Sequence, residues 1–480
     1  MESTGRFNKR RHVVAMPYPG RGHINPMMNF CKLLATKFSL KDDIRISFVV
    51  TEEWLGILGS ESRLPPQIQL RSIPNVIPSE LVRGSDHKGF FEAVQTKMED
   101  PFEQFLDHLQ QEDVPGVVVT AIISDTLLPW TVSVGNKKNI PVVSFWTTSP
   151  SLFSIVYHID LLAQNGHYPV DFSSGRADEL IDYIPGVSPI RLSDMPASLN
   201  RSNEQAFKVV SEAVSEVRKA RCIVFTTYHE LEPLAIKALM EVLPVPVYPV
   251  GPSIPLPMMP GDDHARTKSI DKMDKVEYYL EWLDSQPEES VMYVSFGSFL
   301  STSSEQMKEI LAGLSESCVR YLLVSRSVKD RNNSNEMDSS RSLVVPWCNQ
   351  LRVLCHSSVG GFLTHCGWNS ILEVIYAGVP MLTFPVAMDQ LTNSKLIVDH
   401  WKIGMKVIKE VGAERPVKRE EITSTVKKFM NLSGEDEESK DMRTRAKEFK
   451  KSCRQALAKD GSSTANLCNF IKNVLQYHYN

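Results

Sequence analysis

Short apolar runs rich in β-branched residues, each followed by a helix-period pattern, recur along the chain and limit its fold more than any other feature. HVVAMP (12–17), IRISFVVT (44–51), VVVTAIIS (117–124), PVVSFW (141–146) and CIVFTT (222–227) form a first series. VMYVSF (291–296), YLLVS (321–325), SLVV (342–345), GGFLT (360–364) and PMLTFP (380–385) form a second. Strands that are apolar on both faces belong in parallel sheets covered by helices. After the first run, Met27, Met28, Phe30, Cys31, Leu33 and Leu34 predict a helix over 25–37. Strand, tight loop and helix, in that order, open a doubly wound α/β domain.

Two such series in 480 residues predict two domains, since a domain takes roughly 100–200 residues. Between them lies a proline-rich, then charged stretch that disfavours regular structure and reads as a linker. The expected division is an N-terminal domain at 1–244, a linker at 245–275 and a C-terminal domain at 276–450. Residues 451–480 form a helical segment expected to pack back on the first domain. The fold class is therefore α/β, with two facing Rossmann-like domains and an interdomain cleft. In open sheets of this kind ligands sit outside the carboxyl ends of the strands.

Hydrophobic residues at 42% and charged residues at 23% allow a sizeable core. A net charge of −4 argues against a general nucleic-acid binder. Lys9, Arg10 and Arg11 precede an apolar run that Pro17 and Pro19 cut short, too short for a signal-peptide core. No apolar run is long enough for a membrane span. A cytoplasmic protein is the expectation. The eight cysteines form no Cys-x-x-Cys pair and read as free thiols.

One segment goes further: WCNQLRVLCHSSVGGFLTHCGWNSILEVIYAGVPMLTFPVAMDQ, at 347–390. Together with PYPGRGHINP (17–26), the Asp after the 117–124 strand and YVSFGS (293–298), it resembles the plant secondary-product UDP-glycosyltransferases. The resemblance covers most of the chain in order and spacing. It implies the GT-B fold, with the donor held mainly by the second domain.

The residues also make sense without the family. The strand GGFLT ends at His365, and Cys366-Gly367-Trp368-Asn369 leads into a helix expected near Ser370. Free N–H groups at a helix N-terminus suit a diphosphate. The resemblance implies that His365, Asn369, Ser370 and Ser298 touch the phosphates and that Trp368 belongs to the same donor site. Helix capping is the simpler reading of Asn369 and Ser370, and is compatible with phosphate binding. Trp347 is either core packing or, as the resemblance implies, the platform that stacks on uracil, with Gln350 bonding nearby. Glu373 fits a capping box with Ser370; the resemblance implies that it grips the ribose instead. Asp389 and Gln390 are implied to bond sugar hydroxyls, and Trp146 and Thr147 to touch the sugar from the first domain. Asn349 departs from the family pattern, where many members have Pro, which predicts a less rigid loop after Trp347.

His23 sits between glycines and a helical pattern, and a neutral imidazole suits a base near pH 7. Alone it reads equally as a helix-entry histidine, and Asp125 as a cap. The resemblance pairs them, with Asp125 orienting the ring of a catalytic His23. The implied reaction is one direct displacement with inversion. It transfers glucose from UDP-glucose to a hydroxyl or carboxyl of a small hydrophobic acceptor, such as a phenolic, flavonoid or terpenoid. No cofactor beyond the donor substrate is expected, and no metal is assigned, since no ligand cluster is evident. A nucleotide-sugar-binding protein without turnover would be marked by loss of His23 or Asp125. A Rossmann oxidoreductase would need a G-x-G-x-x-G after a strand, and neither sheet's first loop has one.

Overall fold

Runs that are apolar on both faces need cover on both faces, and the first sheet shows how this is met. In the computed structural model the described residues are 10–38, 44–59, 64–80, 86–111, 117–170, 175–200, 204–255, 278–297, 303–325, 340–407, 416–430 and 436–475. Along β1 (Arg10–Met16), Val13 and Ala15 join one apolar cluster while Val14 and Met16 join another across the sheet. The parallel strands β2 (Ile44–Thr51), β3 (Ile68–Ile73), β4 (Val117–Asp125) and β5 (Val142–Trp146) follow. The short antiparallel pair β6 (Leu180–Ile181) and β7 (Ile190–Arg191) belongs to the other unit. β8 (Cys222–Phe225) and β9 (Val247–Pro249) complete the first sheet, in the order β3-β2-β1-β4-β5-β8-β9.

The second sheet contains β10 (Val291–Ser295), β11 (Arg320–Val324), β12 (Ser342–Val345), β13 (Val359–Thr364), β14 (Met381–Thr383) and β15 (Gly404–Lys406). Its order is β12-β11-β10-β13-β14-β15, all parallel. Each sheet thus winds outward from its first strand and then restarts on that strand's other side. The reversal lies between β1 and β4 in one sheet and between β10 and β13 in the other. Such switch points open a crevice at the carboxyl ends of the strands.

The chain divides into two compact units, Met1–Tyr157 with Gln205–Pro260 and Leu457–Asn480, and His158–Glu204 with Gly261–Ala456. The segment 158–204 therefore packs with the second series rather than the first. Within that unit Ala197 donates its N–H to Met388 O at 2.8 Å, and Thr392 Oγ1 donates to Asp194 O at 2.9 Å. Residues 247–249, read from sequence as linker, form an edge strand instead. The end of the chain supplies a helix to the first unit. Phe470 packs on Phe30 at 5.7 Å and on Tyr248 at 5.7 Å, and Asn466 Nδ2 donates to Pro249 O at 3.0 Å. Among the described residues no helix is long and apolar enough to cross a membrane.

Candidate active site

Helix formation begins earlier than the sequence implied. The helix runs Arg21–Lys37, and the N–H groups of His23 and Ile24 both reach Gly20 O at 2.9 Å. His23 therefore stands in the first helical turn, not in a loop, just beyond the carboxyl end of β1. Asp125 is the last residue of β4, the strand across the switch point. The two meet: His23 Nδ1 lies 2.8 Å from Asp125 Oδ2. The other carboxylate oxygen accepts the N–H of Leu127 at 3.0 Å, which fixes the carboxylate plane. A carboxylate only accepts, so Nδ1 carries the proton and Nε2 is left as the basic nitrogen. The histidine side chain is 22% exposed and the aspartate 2%. Tyr18 lies against the imidazole with 5.0 Å between ring centroids.

Trp146 and Thr147 part company. The Trp146 ring is 3% exposed, edge-on to Phe153 at 5.1 Å, and its Nε1 donates to Ser149 O. The Trp146 ring is therefore core packing, and its side chain is not offered to a sugar. Thr147 does reach the site, where its Oγ1 lies 3.0 Å from His23 Nδ1.

In the second unit the switch point is built around His365. The ring follows β13 and is wedged between two glycines. A Cβ on Gly297 would lie 2.6 Å from its Nε2, and one on Gly367 2.5 Å. Gly297 also has φ +79°, a conformation that suits only glycine cheaply. Burial lowers the His365 pKa to about 4, so at neutral pH the ring is an uncharged hydrogen-bond donor. Cys366, at φ +67°, makes the sharp turn, held by its N–H to Thr364 Oγ1 at 3.1 Å. The helix then starts at Trp368, with Gly367 as N-cap, rather than near Ser370. Gly367 has no side chain to cap the first N–H groups, which suits an outside anion. The Trp368 ring itself is 3% exposed and packs near Trp401, so its side chain belongs to the core. Asn369 and Ser370 occupy the first helical turn. Ser298 lies outside the described residues.

The earlier helix start also excludes the capping box, because Ser370 is not the N-cap. Its hydroxyl, together with Glu373 Oε2, takes the Gln350 amide instead, at 3.0 Å and 2.6 Å. Tyr293 OH donates to Gln350 Oε1 at 3.3 Å from the other side. Burial raises the Glu373 carboxyl to about 7, against the opposing Gln350 hydrogen bond. Tyr293 is a residue that sequence reasoning missed, although it opens the YVSFGS segment. Trp347 is 55% exposed, which no core tryptophan would be. Asn349 caps the short helix Gln350–Leu354 through its side chain, accepting from Arg352 N at 3.2 Å. The departure from proline thus supplies a fixed turn, and the expected loosening is not seen.

Asp389 and Gln390 follow β14. Asp389 Oδ2 accepts from Asn393 Nδ2 at 2.7 Å. Gln390 Oε1 accepts the N–H groups of Val386 and Ala387 at 2.7 Å and 3.0 Å. Its carbonyl is thereby committed to its own turn, and only the amide NH2 remains to be offered outward.

Comparison with known proteins follows this geometry. The family model described as UDP-glucoronosyl and UDP-glucosyl transferase matches residues 94–434. A UDP-glycosyltransferase of Arabidopsis thaliana is 46% identical over 467 residues, covering 97% of each chain. The 7-deoxyloganetin glucosyltransferase of Catharanthus roseus is 34% identical over 98% of each chain. Among solved structures, Medicago truncatula UGT71G1 complexed with UDP-glucose superposes with a TM-score of 0.79 at 26% identity, over 98% of this chain and 99% of that one. Phytolacca americana UGT2 complexed with UDP-2fluoro-glucose and pterostilbene gives 0.77 at 27% identity, over 96% and 99%. With a family match over most of its length and near full-length relatives of this identity, the chain belongs to the plant secondary-product UDP-glycosyltransferases.

Proposed function

We propose that this enzyme transfers glucose from UDP-glucose, with inversion, to a hydroxyl of a small hydrophobic acceptor. The observation that carries the reading is the His23–Asp125 hydrogen bond, which leaves Nε2 as the basic nitrogen. A protein that only bound nucleotide sugars would have no use for it. In the proposed step the acceptor oxygen attacks the anomeric carbon while its proton passes to His23 Nε2. The bond from that carbon to the diphosphate oxygen breaks, and UDP leaves with the electron pair. Asp125 stabilises the imidazolium. One displacement turns an α-linked donor into a β-glycoside. The uncapped helix N-terminus at Trp368 and the neutral His365 suit the leaving diphosphate. The exposed face of Trp347 suits uracil, and Glu373 the ribose hydroxyls. Ser298 is retained in the phosphate group by the resemblance.

For the sugar, Asp389 offers a carboxylate acceptor and Gln390 an amide donor. An equatorial 4-hydroxyl can take both. An axial one leaves a partner unmet, at about 1–3 kcal/mol. The relatives support this choice, since one is a 7-deoxyloganetin glucosyltransferase and a structural neighbour binds UDP-glucose.

One assay tests donor and base together. Equimolar UDP-glucose, UDP-galactose and UDP-glucuronate are offered with 2-naphthol, a phenol that is un-ionised at neutral pH. The β-glucoside should dominate the products. His23→Ala should lower turnover roughly 100- to 10,000-fold while UDP binding by calorimetry is retained. A galactoside or glucuronide as main product overturns the donor assignment. Turnover of the variant within threefold of wild type overturns the base.

A further inference from the structure

The Nδ1 proton of His23 faces two oxygens. Asp125 Oδ2 lies at 2.8 Å and Thr147 Oγ1 at 3.0 Å. The threonine is not there by chance rotation. It is buried, and the turn that carries it is locked on both sides. Before it, Trp146 Nε1 donates to Ser149 O at 3.1 Å and the ring is packed on Phe153. After it, Leu152 N donates to Ser149 Oγ at 2.9 Å. Beyond that, Ser151 N and Oγ donate to Glu232 Oε1 at 3.2 Å and 2.6 Å. The threonine hydroxyl is held where β5 ends, beside the carboxyl end of β4.

We infer that Thr147 is a positioning residue for the base, the second acceptor for the Nδ1–H of His23. One acceptor fixes the tautomer but lets the ring swing about the Nδ1–Asp125 axis. Two acceptors on different strands remove that freedom, so Nε2 holds one direction. The second acceptor also gains strength when the ring becomes an imidazolium, because hydrogen bonds to charged groups are the stronger ones. Among the described residues, Asp125, Thr147 and Tyr18 lie against the ring, while the Arg21 guanidinium lies over Trp54 at 5.7 Å.

The inference rests on His23 being the base, so His23→Ala is measured beside it. With UDP-glucose and 2-naphthol, Thr147→Val should lower kcat about tenfold, the scale of one hydrogen bond to a charged group. The KM for UDP-glucose should stay within twofold. The acidic limb of the kcat/KM profile should move to lower pH, since the imidazolium has lost a partner. Thr147→Ser should restore kcat. In an Asp125→Asn background the same Thr147→Val change should cost less, because both groups serve one proton. Thr147→Ala, which relieves any crowding by the valine methyl, should reproduce the kcat loss. If KM for UDP-glucose rises with kcat held, Thr147 serves donor binding alone and the inference fails. If His23→Ala is inactive while Thr147→Val and Thr147→Ala match wild type, only the Thr147 assignment falls. If His23→Ala stays active, the base reading falls first.

Discussion

Trp347 leaves more than half of its surface exposed directly before a helix whose first residue, Gln350, is tied to Ser370 and Glu373. Exposing so large an apolar ring gives up burial energy that an ordinary fold would keep. Stacking under a flat base returns it. Trp347→Ala should weaken UDP binding by about 1–3 kcal/mol, read by calorimetry, with little change in melting temperature because nothing in the core is lost. Unchanged UDP affinity would remove it from the site. At this scale it was the resemblance of whole motifs that named candidate residues, since alone His23 reads equally as a helix-entry histidine and Asp125 as a cap. His23, Asp125, His365, Glu373 and Trp347 were all named in this way. The sequence was poor wherever the question was direction. Nothing in the letters Trp-Thr tells which side chain turns inward, because β5 is buried on both faces and its end lies at a turn. Gln390 was named from the sequence, but its carbonyl is spent on the backbone of its own loop, a bond that only the folded turn defines.

Glu232 joins two helices. It precedes the helix Pro233–Val242, and its Oε1 caps the N-terminus of Pro150–Tyr157 through Ser151. Its Oε2 is buried and has no hydrogen-bond partner among the described residues. Burial raises the carboxyl from 4.5 to about 7. The folded chain therefore holds this proton more tightly than the unfolded chain. The stabilisation is complete below about pH 4.5 and is lost as pH rises through about 7. Glu232→Gln keeps the acceptor oxygen and cannot ionise. Urea melts of the two proteins should diverge between pH 5 and pH 8 in favour of glutamine, by on the order of 3 kcal/mol. A difference that does not depend on pH would mean the carboxyl stays charged in the fold. The strands missed from the sequence, β3, β6, β7, β9 and β15, share one trait: each is the edge of its sheet. An edge strand has only one neighbour, so it tolerates what a central strand cannot. β3 carries Gln69, Arg71 and Ser72, β9 carries Pro249, and β15 has three residues, none fully buried. The central strands, each carrying an apolar run, were placed to within one or two residues.

The first unit has a core that its own early sequence does not complete. Leu467, Phe470, Ile471, Val474 and Leu475, from the end of the chain, are buried in the same cluster as Val13 and Phe30. Ser463 Oγ donates to Gly251 O at 2.5 Å beside them. Five such side chains represent roughly 10 kcal/mol of burial, comparable with the whole net stability of a domain, about 5–15 kcal/mol. A chain ending at Asp460 should therefore bind the dye ANS and lose its cooperative melt in the first unit. A truncated protein melting within 2 °C of the full chain, a window chosen against the roughly 2–4 °C that 1 kcal/mol shifts a domain of 150–250 residues, would show that the contact is dispensable.

That last helix also sets an order of events. A polypeptide leaves the ribosome from its N-terminus, and domains generally fold as units while they emerge. The second unit, drawn from His158–Glu204 and Gly261–Ala456, has all of its sequence made before Leu467 and Phe470 are added. The first unit must wait for Phe470 to reach Phe30. The half of the enzyme that is translated first is thus the half that is finished last, its apolar face left open until Phe470 has been made.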